Sequence, residues 1–276
     1  MGAIREETVA GMFYPGEEDE LRREVKLLLE NNIPRKHYNN VVGIISPHAG
    51  YIYSGRSAAY AYNVLKNDVQ FETVIIISPS HREYFQGVSI YNGDAYQTPL
   101  GVTPINKTIA EKIIESGDHI YFGNEGHGTE HALEVQLPFL QMIQDDFSIV
   151  PIVIGDQSRK YVDDLAHSLS KSIGENIVVV VSSDLSHFHE KSKADQLDSI
   201  IEEHINNYDY EELMEDLDTN RCEACGGGGI VALMKAASLQ AESKAKVISH
   251  TDSSDVSGDT SSVVGYLSAV IYRELV

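Results

Sequence analysis

Apolar residues along this chain follow two alternating patterns. Residues 41–46 (VVGIIS), 73–78 (TVIIIS), 148–154 (SIVPIVI) and 177–182 (IVVVVS) are short β-branched runs bounded by turn residues. That is the pattern of strands buried on both faces. Between them the spacing becomes helical. Leu21, Val25, Leu28 and Leu29 share one face of a helix over 17–31, and Leu133, Leu137, Leu140 and Ile143 do so over 130–143. Pro138 falls inside the second pattern and predicts a break or kink there. Further helices are expected over 55–66, 103–116 (opened by Thr103-Pro104), 159–172, 191–206, 210–216 and 225–240. Shorter strands are expected over 87–91, 246–250 and 262–273, with loops at 95–101, 123–129 and 251–261.

Strands that alternate with helices predict an α/β fold. The expectation is a layered sandwich whose mostly parallel or mixed central sheet is flanked by helices. No linker or repeat interrupts the pattern, so residues 1–276 are read as one domain.

Three of the apolar runs end alike. The first stops at Ser46-Pro47 and is followed by His48. The second stops at Ser78-Pro79 and is followed by His81. The third stops at Ser182-Ser183 and is followed by Asp184 and His187. Ligands of open α/β sheets bind outside the carboxyl ends of the strands. If the three runs are parallel neighbours, their histidines converge there. His48 and His81 then form half of a metal site, because neutral imidazole is a common metal ligand. Asp184 and His187 read as an acid/base pair, or as a carboxylate orienting an imidazole. Taken singly, each histidine reads better as a strand cap that bonds a backbone carbonyl; the threefold repetition favours function.

Composition narrows the partners. The formal net charge of -21 disfavours nucleic acid and anionic membranes. No apolar run approaches the roughly 20 residues of a membrane helix, and no signal peptide is apparent, so a cytoplasmic protein is expected. The two cysteines, Cys222 and Cys225, give no disulfide framework and only half of a zinc knuckle. Cys225 precedes Gly226–Gly229 and a helix start, where a thiolate would be stabilised. It reads as a soft metal ligand, a reactive thiol or a small buried apolar residue. The glycines would also let an anion approach the backbone, but no Walker lysine accompanies them, and no nucleotide cofactor is expected. His127, Glu130 and His131 form a polar cluster beside a glycine-rich loop. Tyr51, Tyr53 and Tyr84 closely follow the two leading histidines. Of these, Tyr51, Tyr84 and His131 are assigned to a substrate pocket, with packing as the alternative for the tyrosines.

Longer motifs carry a resemblance. SPHAGYIYSGRSAAYAY, SPSHREYFQGV, YQTPLG, EHALEVQLPFLQ, VPIVIGD, SSDLSH, a Cys-Gly before an apolar helix, and SGDTSSVVGYLSAV occur in order. Together they resemble the MEMO family (mediator of ErbB2-driven cell motility), whose microbial members are also labelled AmmeMemoRadiSam system protein B. That family is similar in fold to class III extradiol non-haem iron dioxygenases. The resemblance implies metal ligands at His48, His81 and Cys225, with His187 in the same pocket. It places a cysteine where the dioxygenases have a carboxylate; Glu223, two residues away, is an alternative oxygen ligand.

Two function classes follow. One is a metal-dependent redox enzyme that holds iron or copper, less readily zinc, with His187 and Asp184 moving protons. The other is a binding or accessory protein that recognises a peptide, small molecule or small anion, works beside a radical-SAM partner, or sequesters metal.

Overall fold

A computed structural model describes residues 3–274. The chain opens with β1 (Ile4–Arg5), α1 (Glu18–Asn31), β2 (Val41–Ser46), α2 (Tyr51–Asp68) and β3 (Thr73–Pro79). It continues with β4 (Val88–Tyr91), β5 (Ala95–Thr98), β6 (Gly101–Pro104), α3 (Lys107–Glu115) and β7 (Ile120–Gly123). A 3-10 turn (Glu134–Gln136) leads into α4 (Leu137–Ile143), β8 (Ser148–Ile154), α5 (Arg159–Ser172), β9 (Ile177–Ser182) and β10 (His187–His189). The last part holds α6 (Lys191–Asn207), α7 (Tyr210–Asp218), α8 (Gly227–Gln240), β11 (Lys244–Asp252), α9 (Ser254–Ser257) and β12 (Val263–Tyr272).

The main sheet has nine strands in the order β10-β12-β2-β9-β3-β8-β4-β7, with β11 paired to β12. Its centre is parallel: β9 lies between β2 and β3, and β3 also pairs with β8. Both flanks join the centre antiparallel, through β12 on β2 and β4 on β8, and β7 then runs parallel to β4. The sheet is therefore mixed, with helices on both faces. Side chains that alternate along a strand serve two cores. Ile75, Ile77, Val179 and Val181 face α5 and α8, whereas Val74, Ile76, Val178 and Val180 face α1, α2 and α4. A strand covered on both faces needs an uninterrupted apolar run, which is why these runs were legible.

Several local expectations are corrected. Residues 95–104 form the β5/β6 hairpin beside β1, not a loop followed by a helix start. The helix begins later, at Lys107, where the Asn106 side chain accepts from the Ile109 amide. Pro138 occupies the first turn of α4, where a missing N–H costs nothing, so the break falls before it. The loop at 251–261 contains α9, and β10 is a short strand with no apolar signature.

The N-terminal segment is pinned across the fold by one buried ion pair. The Arg5 guanidinium pairs with Glu134 and donates to the carbonyls of His127 (3.1 Å) and Glu130 (2.6 Å). Glu134, fully buried, also accepts from the amides of Thr8 (2.9 Å) and Val9 (3.1 Å) and from the Tyr14 hydroxyl (2.5 Å). Burial pushes the Glu134 carboxyl up, but Arg5 and these donors outweigh it and hold the group below the usual carboxylate range. Its contribution to stability is therefore present above the ordinary glutamate range and is lost as pH falls through its lowered value. Removing one partner strands the other: Arg5→Met and Glu134→Leu are each expected to cost about 3–5 kcal/mol in urea denaturation at neutral pH, and the double variant less than their sum. Single variants that unfold like the parent would contradict this.

Candidate metal centre

The four central strands end on one edge, with Ser46 opposite Ser182 and Ile77 opposite Val181. His48, His81 and the 183–187 segment thus leave the sheet side by side. The ring centroids of His48 and His81 are 5.1 Å apart, and His131 stands 5.4 Å from the first and 4.9 Å from the second. One nitrogen from each of these rings lies within 4.8 Å of the others, which makes a candidate three-histidine metal site. Cys225 completes the surroundings, with Sγ 3.2 Å from His48 Nε2.

Hydrogen bonding fixes how two of the imidazoles point. The Ser182 hydroxyl has one proton, and it goes to the Ala132 carbonyl at 2.6 Å. Besides the Pro47 carbonyl, Gln136 Nε2 donates to Ser182 Oγ, at 2.8 Å. His48 Nδ1, 2.9 Å from that oxygen, must therefore be the donor. His48 is thus protonated at Nδ1 and presents the Nε2 lone pair to the centre. Glu130 does the same for His81: its carboxylate accepts from Nδ1 at 2.9 Å and from the His81 amide at 2.5 Å. It also accepts from the amides of His131 and Ala132, each at 3.0 Å. Burial alone would raise the Glu130 carboxyl, but the His81 ring and these amides hold it at about 2, so it is a carboxylate and His81 Nδ1 is the donor. Partners of this kind set the orientation and basicity of metal-binding histidines.

The remaining groups are held near neutrality. Burial, then the neighbouring imidazoles, keep His48 well below the ordinary histidine range. Burial takes His131 down to about 4 despite the opposing Glu130 carboxylate. The His131 Nδ1 atom is buried and has no hydrogen-bond partner among the described residues. It lies 3.3 Å from Glu130 Oε1, the oxygen that also accepts from His81 Nδ1. Burial, then Asp184, push the Cys225 thiol up, so without a cation it keeps its proton and donates it to His48 Nε2.

Asp184 wraps around this group. Its Oδ1 accepts from the His48 amide at 2.7 Å, its amide donates to Cys225 Sγ at 3.2 Å, and its carbonyl accepts from the Cys225 amide at 3.2 Å. Burial raises its carboxyl to about 7 against those amides, which suits a group that exchanges a proton. Burial, and with it the neighbouring His81, lowers His187 below the ordinary histidine range.

The structure sorts the other candidates. Tyr51 is buried and donates its hydroxyl to the Val135 carbonyl, a core contact. Tyr84 is 74% exposed, with its hydroxyl on Asp156, and Tyr53 is 41% exposed. His127 is a satisfied core histidine bonded to Tyr96 and the Ser89 carbonyl, not a residue on a surface loop. The Glu223 carboxylate is engaged by His189 at 2.9 Å. Among the described residues neither Cys222, which is buried, nor Cys225 falls within the ligand spacing that joins the three histidines. A second group, Asp118, His119 and Asp164, also falls within ligand spacing, but the Asp164 oxygens already accept from the amides of residues 118 and 119. The glycines serve packing. A Cβ at Gly226 would lie 2.4 Å from the Ser182 carbonyl oxygen. The Gly226 and Gly228 amides are taken by Ser183 Oγ and Gln157 Oε1, so they are not available to an anion. The roles of Glu130, Ser182 and Gln136 were not anticipated; the Glu130-His131 pair and the serines closing two strands were the available signals.

Comparison with known proteins agrees in length and order. A family described as "Memo-like protein" matches residues 5–270. A "MEMO1 family protein" of Thermotoga neapolitana is 37% identical over 280 residues, covering 97% of this chain and 99% of its own. One from Thermoplasma volcanium is 33% identical, covering 99% of this chain and all of its own, within 274 aligned residues and 100% of its length. An uncharacterized protein of Escherichia coli K12 superposes with a TM-score of 0.58 at 14% identity, over 83% of this chain and 98% of the other, which shows a shared fold.

The hydrogen-bond assignment is checked by nitrogen-15 NMR of the histidine side chains of chelator-stripped protein. At pH 6, His48 is expected to be neutral and protonated at Nδ1, and Ser182→Ala to release it into a tautomer mixture. A proton on Nε2, or an imidazolium, would contradict the assignment.

Proposed function

This chain belongs to the Memo-like protein family, and from that premise we propose that it is a metal-dependent redox protein whose ion is held by His48, His81 and a third donor, Cys225 or His131. One observation carries the reading: His48 and His81 both bond through Nδ1 to partners in the fold, which leaves Nε2 as the ring nitrogen free to ligate, beside a thiol and a third imidazole. Two nitrogens and a sulfur suit copper, zinc and iron, and the thiolate favours the softer ions. Iron or copper would supply one-electron chemistry there.

The residues around the centre have separate tasks. Ser182 and Glu130 keep His48 Nδ1 and His81 Nδ1 protonated, so both rings offer Nε2. Cys225 must give up its Sγ proton to bind a cation, so uptake through sulfur releases a proton and tightens as pH rises. Asp184, whose carboxyl burial raises, and His187, which burial lowers, are the groups that take up and return protons beside the centre.

Equilibrium dialysis tests the reading. Chelator-stripped protein is expected to bind one equivalent of iron(II) or copper, to protect Cys225 from thiol reagents, and to pass reversibly between two oxidation states in voltammetry. His48→Ala should abolish uptake and also lower the urea midpoint, because the ring is buried and bonded to Ser182 and Cys225; His81→Ala, at an exposed residue, should abolish uptake with a smaller change in the midpoint. A centre that stays empty under titration with both metals would overturn it.

A further inference from the structure

Beside the centre lies a cavity of about 490 Å³, which the proton-carrying groups do not account for. Cys225 and His187 form its inner wall, so it meets the candidate centre directly. It opens between the loop after β8 and the segment that follows α7. Its volume falls within the range of small-molecule sites.

The lining has one sign of charge. Asp156, Asp218 and Glu223 contribute carboxylates, and no lysine or arginine lines the cavity. Asp156 is held below the usual carboxylate range by the Ser158 amide and meets only neutral donors, Ser158 and the Tyr84 hydroxyl. Asp218 makes no ion pair among the described residues, and Glu223 meets only His189. His187 is kept neutral by burial. Leu185, Met214 and Leu217 give the same lining an apolar part. Within a chain of net charge -21, such a cleft concentrates cations and repels anions.

We infer that this cavity binds the substrate, and that the substrate is a small organic amine. Its ammonium meets Asp156 and Asp218, its apolar body lies on Leu217 and Met214, and its other end reaches Cys225 and His187. A bare metal ion would leave the apolar part uncovered, and an anion would face three carboxylates. The inference rests on the metal-centre reading only for what happens at that inner end; the charge preference stands on the cavity alone.

Three probes of equal length separate charge from shape: hexylamine, hexan-1-ol and hexanoate. Each is titrated at pH 7 into protein labelled with nitrogen-15 glycine, and the amides of Gly227 and Gly228, which line the cavity, are followed. Hexylamine is expected to shift them saturably, hexan-1-ol more weakly and hexanoate not at all. Asp218→Asn and Asp156→Asn should each weaken hexylamine about threefold and leave hexan-1-ol unchanged. Asp218 is exposed, so the first variant keeps the fold. Hexanoate binding as tightly as hexylamine, or amine binding indifferent to both substitutions, would overturn the inference. The titration is repeated with cobalt(II) present. Amine binding by protein that takes up no cobalt leaves the cavity inference standing and removes the metal reading. Cobalt uptake without charge discrimination does the reverse.

Discussion

A buried imidazole can satisfy both of its nitrogens only if something accepts from one and something else meets the other. In this protein the first requirement is met within the fold and the second is directed inward. The Glu130 carboxylate and the Ser182 hydroxyl consume the Nδ1 protons of His81 and His48. Both are fixed in turn: Glu130 by the amides of its own turn, Ser182 by Ala132 and Gln136. The Nε2 atoms are left facing one another across a space that also receives Cys225 and His131. Folding thereby turns the remaining ring nitrogens toward one partly exposed cluster, in which His48 Nε2 meets only the weak donor of the Cys225 thiol. A cation can replace that weak bond, which is the physical basis for reading the cluster as a metal centre.

The segment that carries Glu130, His131 and Gln136 is irregular, so something outside it must hold it. Arg5 does so from the other end of the chain, through the carbonyls of His127 and Glu130 and through the Glu134 carboxylate. On the opposite side, the close approach of α8 to β9 at Gly226 brings Cys225 against Asp184. The helix start is packed tightly and its amides are occupied, so it sets the thiol in place and leaves little for an anion. The centre thus sits where two packed, non-repetitive segments meet the ends of parallel strands.

Much of this could be read in advance because buried parallel strands leave a strong trace. The runs ending at Ser46, Pro79 and Ser182 are apolar without interruption, and whatever follows such runs must emerge at one edge. His48, His81, Asp184 and His187 were visible for that reason. The Cys225 position as a ligand came through family resemblance, since a glycine-rich helix start is equally consistent with packing. The orienting partners were hidden. Glu130 and His81 are 49 residues apart, and Ser182 and His48 are 134 apart, so neither pair leaves a local pattern. Tyr51 shows the opposite failure: proximity in sequence to His48 suggested a pocket wall, but helical geometry turns it into the core. The hairpin at 95–104 was missed because a Thr-Pro pair opens a helix or closes a strand with equal ease.

The account stands or falls on where a cation binds. Anomalous diffraction from crystals soaked in cobalt(II) chloride measures that directly. It predicts a peak within bonding distance of His48 Nε2 and His81 Nε2, with a third protein donor from Cys225 or His131. A peak at Asp118, His119 and Asp164 instead, or no peak between residues 48 and 81, would contradict it.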